Sequence, residues 1–178
     1  MKETNRTKYA SYDESNWEKA FFDKNTNGFI VIHKLHGRGE RAGNLAIAMQ
    51  LVTLGYAVEL LPATNEKSFD AHLSDEDWEF KTTSGTSTSV QKRLRVGREQ
   101  CENILLVVPQ RFNLREVLKG IISAVNVDKR KLIKVVGLLF SDKLEIGIIR
   151  LLREEIRLRD FKKLSIFFEE HDFYNDDY

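Results

Sequence analysis

The sequence contains very little cysteine and proline, and it has no long apolar run. Its single cysteine, Cys101, excludes a framework of intramolecular disulfides, and we expect a small buried residue there rather than a reactive thiol. With two prolines, a long disordered linker is not expected. No apolar stretch approaches the roughly 20 residues that cross a bilayer, and residues 1–17 contain no apolar core of a signal peptide. We therefore expect a cytoplasmic protein without membrane contact.

Charge of one sign is not in excess either. The 178 residues include 28 basic and 27 acidic side chains, so the net charge of +1 does not by itself indicate a nucleic-acid-binding protein. The charges are unevenly distributed, because residues 91–98 carry four basic side chains and no acid. A local basic patch can bind phosphates when the net charge is near zero. Residues 169–178 form an acidic tail that either covers a basic groove or frays.

Strand-like and helix-like patterns alternate along most of the chain, and 42% of the residues are hydrophobic, enough for a sizeable core. Residues 1–27 are polar, and we expect a weakly structured arm anchored by Trp17 and the Phe21–Phe22 pair. Segment 144–158 reads as a hairpin strand, joined through residues 141–143, that is followed by a helix. The whole order predicts an α/β sandwich with a mixed sheet. The other predicted strands are 28–34, 56–61, 69–73, 78–82, 102–109, 133–140 and 164–169, and the other predicted helices are 40–55, 89–102 and 113–125.

The hairpin predicted over 69–82 contains the residues with the clearest chemical meaning. Because side chains alternate along a strand, Glu79 and Lys81 should point to one side, and Phe80 to the other side, into the core. Asp70 lies on the preceding strand and is expected to face the same pocket. Two carboxylates with a nearby lysine can hold a divalent cation and act on a phosphodiester. The alternative is a solvated strand face with a cross-strand ion pair.

The residues around this hairpin occur in a characteristic order. Glu40 leads a helix, GYAVELLP follows as a strand, Asp70 precedes Glu79-Phe80-Lys81-Thr82, and Gln100 stands before the apolar NILLVV. In this order, over about residues 28–140, the chain resembles the PD-(D/E)xK nuclease domains of contact-dependent growth inhibition toxins. Phe69 stands where the motif commonly has proline.

The resemblance implies a restriction-endonuclease-like sandwich over 28–168, in which helices flank a central mixed β-sheet. It implies that Asp70, Glu79 and Glu40 bind Mg²⁺ or Mn²⁺, and that Lys81 orients water or stabilises the transition state. The alternative role of Glu40 is to stabilise the start of its helix. The implied substrate is RNA of the tRNA kind or DNA, and the implied partner is a cognate immunity or inhibitor protein.

Basic residues beside this motif are candidates for phosphate contacts, with a solvated helix face as the alternative. The pocket is expected to include three supporting residues, His72, Thr82 and Gln100. The spacing of the histidines and Cys101 matches no zinc pattern. The candidates for nucleic-acid binding are Arg38, Lys92, Arg93, Arg95 and Arg98.

Two other functions remain open at this stage. The first is a catalytically silent module that binds nucleic acid or protein on the same fold. The second is an interaction protein that forms a homodimer through the apolar helix 113–125 and segment 144–158. The sequence does not choose between DNA and RNA, because base recognition depends on loops and grooves.

Overall fold

The computed structural model describes residues 4–63, 69–141 and 146–158. These residues form five helices and eight strands. The helices are α1 (Asn5–Ser11), α2 (Arg38–Thr53), α3 (Ser87–Gly97), α4 (Leu114–Val127) and α5 (Arg153–Leu158), and the strands are β1 (Trp17–Phe22), β2 (Phe29–His33), β3 (Ala57–Leu60), β4 (Ala71–Leu73), β5 (Glu76–Thr82), β6 (Asn103–Val107), β7 (Val135–Ser141) and β8 (Ile146–Leu152). Within these described ranges, no helix is long and apolar enough to span a bilayer.

The chain divides into two compact units, Met1–Trp78 and Glu79–Tyr178. In the first unit the strand order is β1-β2-β3-β4-β5, with β2 and β3 parallel and the other neighbours antiparallel. In the second unit the order is β5-β6-β7-β8, with β8 antiparallel to β7 and the other neighbours parallel. The division falls inside β5, which contributes residues to both units. The predicted mixed α/β class is therefore confirmed, whereas the restriction-endonuclease-like sandwich stays a prediction.

In the first unit, β2 is buried on both of its faces. Phe29 and Val31 point to one side, where Tyr9 of α1 packs against the Phe29 ring. Ile30 and Ile32 alternate to the opposite side, where α2 packs on β2 and β3. A strand covered on both faces reads as an unbroken apolar run, which is why its position was predictable from the sequence.

The N-terminal residues are more ordered than predicted. Residues 5–22, expected to belong to a weakly structured arm, form α1 and β1, and β1 pairs antiparallel with β2. Tyr12 packs edge-on against Trp17, and Phe22 packs on the same cluster. The predicted anchoring is therefore confirmed for Trp17 and Phe22. Phe21 is instead exposed. The prediction of a weakly structured arm is wrong for residues 5–22, because their aromatic side chains pack on the core of the first unit.

The core of the second unit lies between its sheet and the two helices α3 and α4. The apolar helix predicted over 113–125 is confirmed as α4, and its apolar residues from Leu114 to Val125 are buried or pack against the core. Helix α3 is shorter than predicted and ends at Gly97, and Cys101 lies beyond it as a buried residue. The two helices approach closely at Gly120, where an added Cβ would lie 2.6 Å from the Ser87 carbonyl oxygen and from the Val90 Cβ.

The segment after β7 matches its prediction in both halves. Strand β8 pairs antiparallel with β7, and α5 follows directly. Leu151 and Ile156 of this segment pack into the same core as α4. Part of the apolar surface that suggested a homodimer is thus used inside the unit, and the homodimer stays a prediction. The predicted turn at 142–143, the loop 64–68, the strand 164–169 and the tail 169–178 lie outside the described residues.

A buried ion pair lies at the C-terminal end of α4 in the second unit. The Arg153 guanidinium donates from Nη1 to Asp128 Oδ2 over 2.5 Å, and it also donates to the carbonyl oxygens of Val125 and Ile133. The Ile133 backbone N–H donates to the same carboxylate over 2.9 Å. Both charged side chains are almost completely buried. Neither residue was singled out from the sequence.

Gly120→Ala should lower the free energy of unfolding by about 1–3 kcal/mol, because the added methyl group has no room between α3 and α4. The measurement is urea denaturation followed by circular dichroism. Gly43→Ala is the control, since a Cβ at that helical glycine meets no atom within 4 Å. That variant should be neutral or stabilised by up to about 1 kcal/mol through helix propensity. Equal effects of the two substitutions would contradict the close helix crossing.

Asp128→Asn should destabilise the protein by about 3–5 kcal/mol at neutral pH, because Arg153 keeps its charge in a buried site. Burial raises the pKa of the Asp128 carboxyl, but the Ile133 N–H and the Arg153 guanidinium outweigh it and hold the pKa below the ordinary 3.8. A depressed folded-state pKa stabilises the fold above the ordinary value, and this contribution disappears as pH falls through the folded value.

Denaturation between pH 6 and pH 2 measures that contribution. The wild-type chain should lose it below about pH 4, and Asp128→Asn should show a correspondingly shallower acid loss. Glu154→Gln, at an exposed position of α5, should follow the wild-type curve. Acid curves of the same slope for wild type and Asp128→Asn would show that this pair does not carry the pH dependence.

Candidate functional site

The second half of β5 places two charged side chains on one side of the sheet of the second unit. Glu79 Oε1 contacts the Nζ atom of Lys81, so these side chains point the same way, as predicted from strand alternation. Their register partners on the parallel neighbour β6 are Ile104 and Leu106, which face the core under α3 and α4. Phe80 is buried on the opposite side, which confirms its predicted position.

The Glu79 carboxylate is buried, with only 1% of the side chain exposed, and Lys81 is 17% exposed. Removing a carboxylate from water costs several kcal/mol unless a positive charge and hydrogen bonds compensate. The ammonium group of Lys81 supplies that charge from the same strand. The alternative of a solvated strand face is therefore wrong for Glu79.

In the first unit, Asp70 lies just before β4 and contacts α2. Its Oδ1 accepts a hydrogen bond of 3.0 Å from the Asn44 side-chain amide. Its backbone carbonyl accepts from the N–H of Leu61, at the end of β3. Asp70 was predicted on the strand itself, but β4 begins at Ala71.

Two further polar residues extend the contact between Asp70 and α2. Asn44 Nδ2 lies 3.4 Å from His36 Nε2, and His36 Nδ1 lies 2.5 Å from the Leu61 carbonyl oxygen. Both His36 and Asn44 are buried. Glu40 lies one helical turn before Asn44, on the same side of α2, and it is exposed in the first turn. This position fits both of its predicted roles.

His72 does not share the side of Asp70. Its Nδ1 atom lies 2.7 Å from Asp77 Oδ1, and its register partner on β3 is Glu59. Glu59 in turn binds Lys8 of α1 over 2.7 Å, on the sheet face opposite α2. The expectation that His72 and Asp70 face one pocket is wrong, because strand alternation does not extend to a residue that precedes the strand.

The other two supporting residues lie at opposite ends of α3. Thr82 is the last residue of β5 and is exposed, whereas Gln100 is exposed beyond the C-terminal end of the helix. The 11 residues of α3 span about 16 Å. The two side chains therefore do not line one small pocket. Thr83, next along the chain, is buried and bonds from Oγ1 to Ser89 Oγ.

The basic residues fall into two groups. Lys92, Arg93 and Arg95 are exposed on α3, and none of them forms an ion pair with another residue in the described part of the chain. Arg98 differs, because its guanidinium lies 3.4 Å from Asp128 Oδ1 and is only 16% exposed. Arg38 begins α2 in the first unit and is exposed.

Within either unit, the described residues contain no group of three or more His, Cys, Asp or Glu side chains arranged to hold a metal ion.

The hydrogen bond from the Asn44 amide to Asp70 is the contact that sequence reasoning missed. The helical pattern does indicate the side of the helix on which Asn44 lies, because Asn44 stands four residues after Glu40 and so shares its side. Nothing in the sequence indicates that it reaches Asp70.

No protein-family model and no curated protein matches the chain. Among solved structures, the chain is similar to the CdiA-CT/CdiI toxin and immunity complex from Burkholderia pseudomallei, with 16% sequence identity and a TM-score of 0.43. The match covers 66% of this chain and 92% of that chain. A likeness this low in both measures shows neither the family nor the activity of this protein.

Lys81→Met should lower the free energy of unfolding by about 1–3 kcal/mol, because the Glu79 carboxylate then stays buried without the ammonium group. Chemical denaturation at neutral pH measures the change. Lys129→Met is the control, since that lysine is exposed after α4, and its effect should stay within about 0.5 kcal/mol. A Lys81→Met variant as stable as this control would refute a stabilising role for the pair.

Proposed function

We propose that this chain is a metal-dependent nuclease that hydrolyses phosphodiester bonds. The observation that supports this most directly is the buried Glu79 carboxylate in contact with Lys81. The fold tolerates these charges in a water-poor place, where electrostatic effects on a reacting group are larger than at the surface. Burial with a lysine beside it is a common way to tune groups at functional sites.

The oxygen donors suit the cation that the proposal requires. Mg²⁺ and Mn²⁺ prefer carboxylate oxygens and keep some of their waters. The proposal assigns Asp70 and Glu79 as ligands and Glu40 as a ligand that binds directly or through water. When bound, the cation would lower the pKa of a coordinated water and neutralise charge on the scissile phosphate. The fit rests on the chemistry of these donors alone.

Lys81 has two tasks in this proposal. Its ammonium group holds the Glu79 side chain in one orientation through their contact. The same group can donate a hydrogen bond to the attacking water or to a phosphate oxygen, where negative charge builds up in the transition state. The remaining donors of an ammonium group point in other directions, so both tasks are compatible.

Phosphate contacts are assigned to the exposed basic side of α3, formed by Lys92, Arg93 and Arg95, and to Arg38. Exposed cations of this kind bind the sugar-phosphate backbone without sequence preference. Arg98 is left out, because its guanidinium already contacts the Asp128 carboxylate. The substrate, tRNA-like RNA or DNA, and a cognate immunity protein remain part of the proposal through the sequence resemblance.

The test is a cleavage assay of the purified chain on tRNA, single-stranded DNA and duplex DNA, with Mg²⁺ and with EDTA. Glu79→Gln, Asp70→Asn and Lys81→Met should each reduce the rate by about 100-fold or more, because each removes a charge that the transition state needs. Lys129→Met is the matched control and should keep the wild-type rate. EDTA should abolish cleavage, and excess Mg²⁺ should restore it.

Absence of cleavage on all three substrates would overturn the proposal. Cleavage that persists in EDTA would overturn its metal dependence. Tight binding of tRNA or DNA without cleavage would instead favour the second candidate, a catalytically silent binding module. The exposed basic side of α3 is the observation in favour of that candidate, and binding should then weaken steeply with salt.

A further inference from the structure

Four groups of the first unit form one continuous hydrogen-bonded chain that ends on the Asp70 carboxylate. It begins at the Leu61 carbonyl oxygen, passes through the His36 ring, and continues through the Asn44 amide. Its members come from the residue after β3, the turn after β2, α2, and the residue before β4. Neither the proposed catalytic roles nor the predicted supporting residues account for it.

The direction of each hydrogen bond in this chain is fixed by chemistry. A carbonyl oxygen only accepts, so the His36 ring donates from Nδ1 to Leu61. A neutral ring that donates from Nδ1 accepts at Nε2, where the Asn44 nitrogen lies. The Asp70 carboxylate also accepts, so the Asn44 nitrogen must face it. The two amide hydrogens of Asn44 are therefore assigned to His36 and Asp70.

Such an arrangement restricts how the Asp70 carboxylate can turn. Asn44 is 8% exposed and His36 is 6% exposed, so water has little access to either of them. A buried amide that loses a partner incurs a cost of about 1–3 kcal/mol, which favours one orientation of the whole chain. The Asn44 amide is a neutral donor to the Asp70 carboxylate.

We propose that Asn44 and His36 are positioning residues that set the affinity of Asp70 for a divalent cation. Asn44 orients the carboxylate directly, and His36 orients Asn44 by accepting its other amide hydrogen. The proposal rests on the assignment of Asp70 as a cation ligand under the proposed function. Residues that hydrogen-bond to metal ligands typically change metal affinity by about 10–100-fold when they are removed.

The test combines Mn²⁺ binding by calorimetry with Mg²⁺-dependent cleavage of tRNA by the full chain. The variants are Asn44→Ala, Asp70→Glu and the double substitution, and Asp70→Glu keeps a carboxylate so that binding stays measurable. Asn44→Ala should weaken Mn²⁺ binding and raise the half-maximal Mg²⁺ concentration by about 10-fold or more. In the Asp70→Glu background it should add much less, because residues that act through each other are not additive.

Gln50→Ala is the matched control, because Gln50 is the other side-chain amide of α2. It should leave the Mn²⁺ constant unchanged. Asn44→Ser keeps a hydrogen-bond donor in a smaller side chain, so it should retain part of the affinity, and it replaces Asn44→Ala in the cycle if that variant does not fold. His36→Ala should produce a smaller loss of affinity than Asn44→Ala.

A merely structural Asn44 would lower the melting temperature and leave the Mn²⁺ constant unchanged, and this result would overturn the inference, as would fully additive losses. A wild-type chain that binds Mn²⁺ with the expected non-additivity but cleaves nothing would refute the nuclease proposal and support the positioning. Cleavage that is insensitive to Asn44→Ala would refute the positioning and support the nuclease. A wild-type chain that binds no Mn²⁺ would overturn both.

Discussion

The cost of removing a charge from water determines much of how this chain is organised. At the end of α4 the Asp128 carboxylate is buried, and the Arg153 guanidinium compensates it while donating to the carbonyl oxygens that α4 and the following loop leave unpaired. One side chain therefore joins the end of α4 to the start of α5. Arg98, expected to contact nucleic acid, contributes to the same carboxylate. In the second unit, each of these charged side chains in the interior lies beside a side chain of opposite charge.

The carboxylates with proposed chemical roles meet the same constraint in two different ways. Glu79 is compensated by a cation, Lys81, on its own strand. Asp70 is held by the neutral amide of Asn44, which is itself held through His36. Glu79 is therefore stabilised by an opposite charge, and Asp70 accepts a hydrogen bond from a buried polar side chain. Two residues of the same chemical type are therefore held by partners of different kinds.

The sequence was most informative where the periodicity of apolar residues was strong. The buried runs of β2 and β6 and the stripe of α4 were placed within a few residues, and the antiparallel pairing of β7 with β8 was confirmed. It was least informative at the N-terminus, where polar residues separate the aromatic side chains that complete the core. The prediction that His72 faces the same side as Asp70 was wrong, because strand alternation was applied to Asp70, which lies before the start of β4. Local rules fail where an element ends, since they hold only inside it.

The sequence by itself determined which chemical groups are present, their order, and the side on which neighbours such as Glu79 and Lys81 point, because these properties follow from the local geometry of a strand. Tertiary structure alone decided that Glu79 is buried, that Asn44 binds Asp70, and that Arg98 and Arg153 converge on Asp128. Asn44 and Asp70 are 26 residues apart, and Arg153 and Asp128 are 25 residues apart. Contacts across such separations depend on how helices and strands pack together, and no periodicity within a single element encodes them.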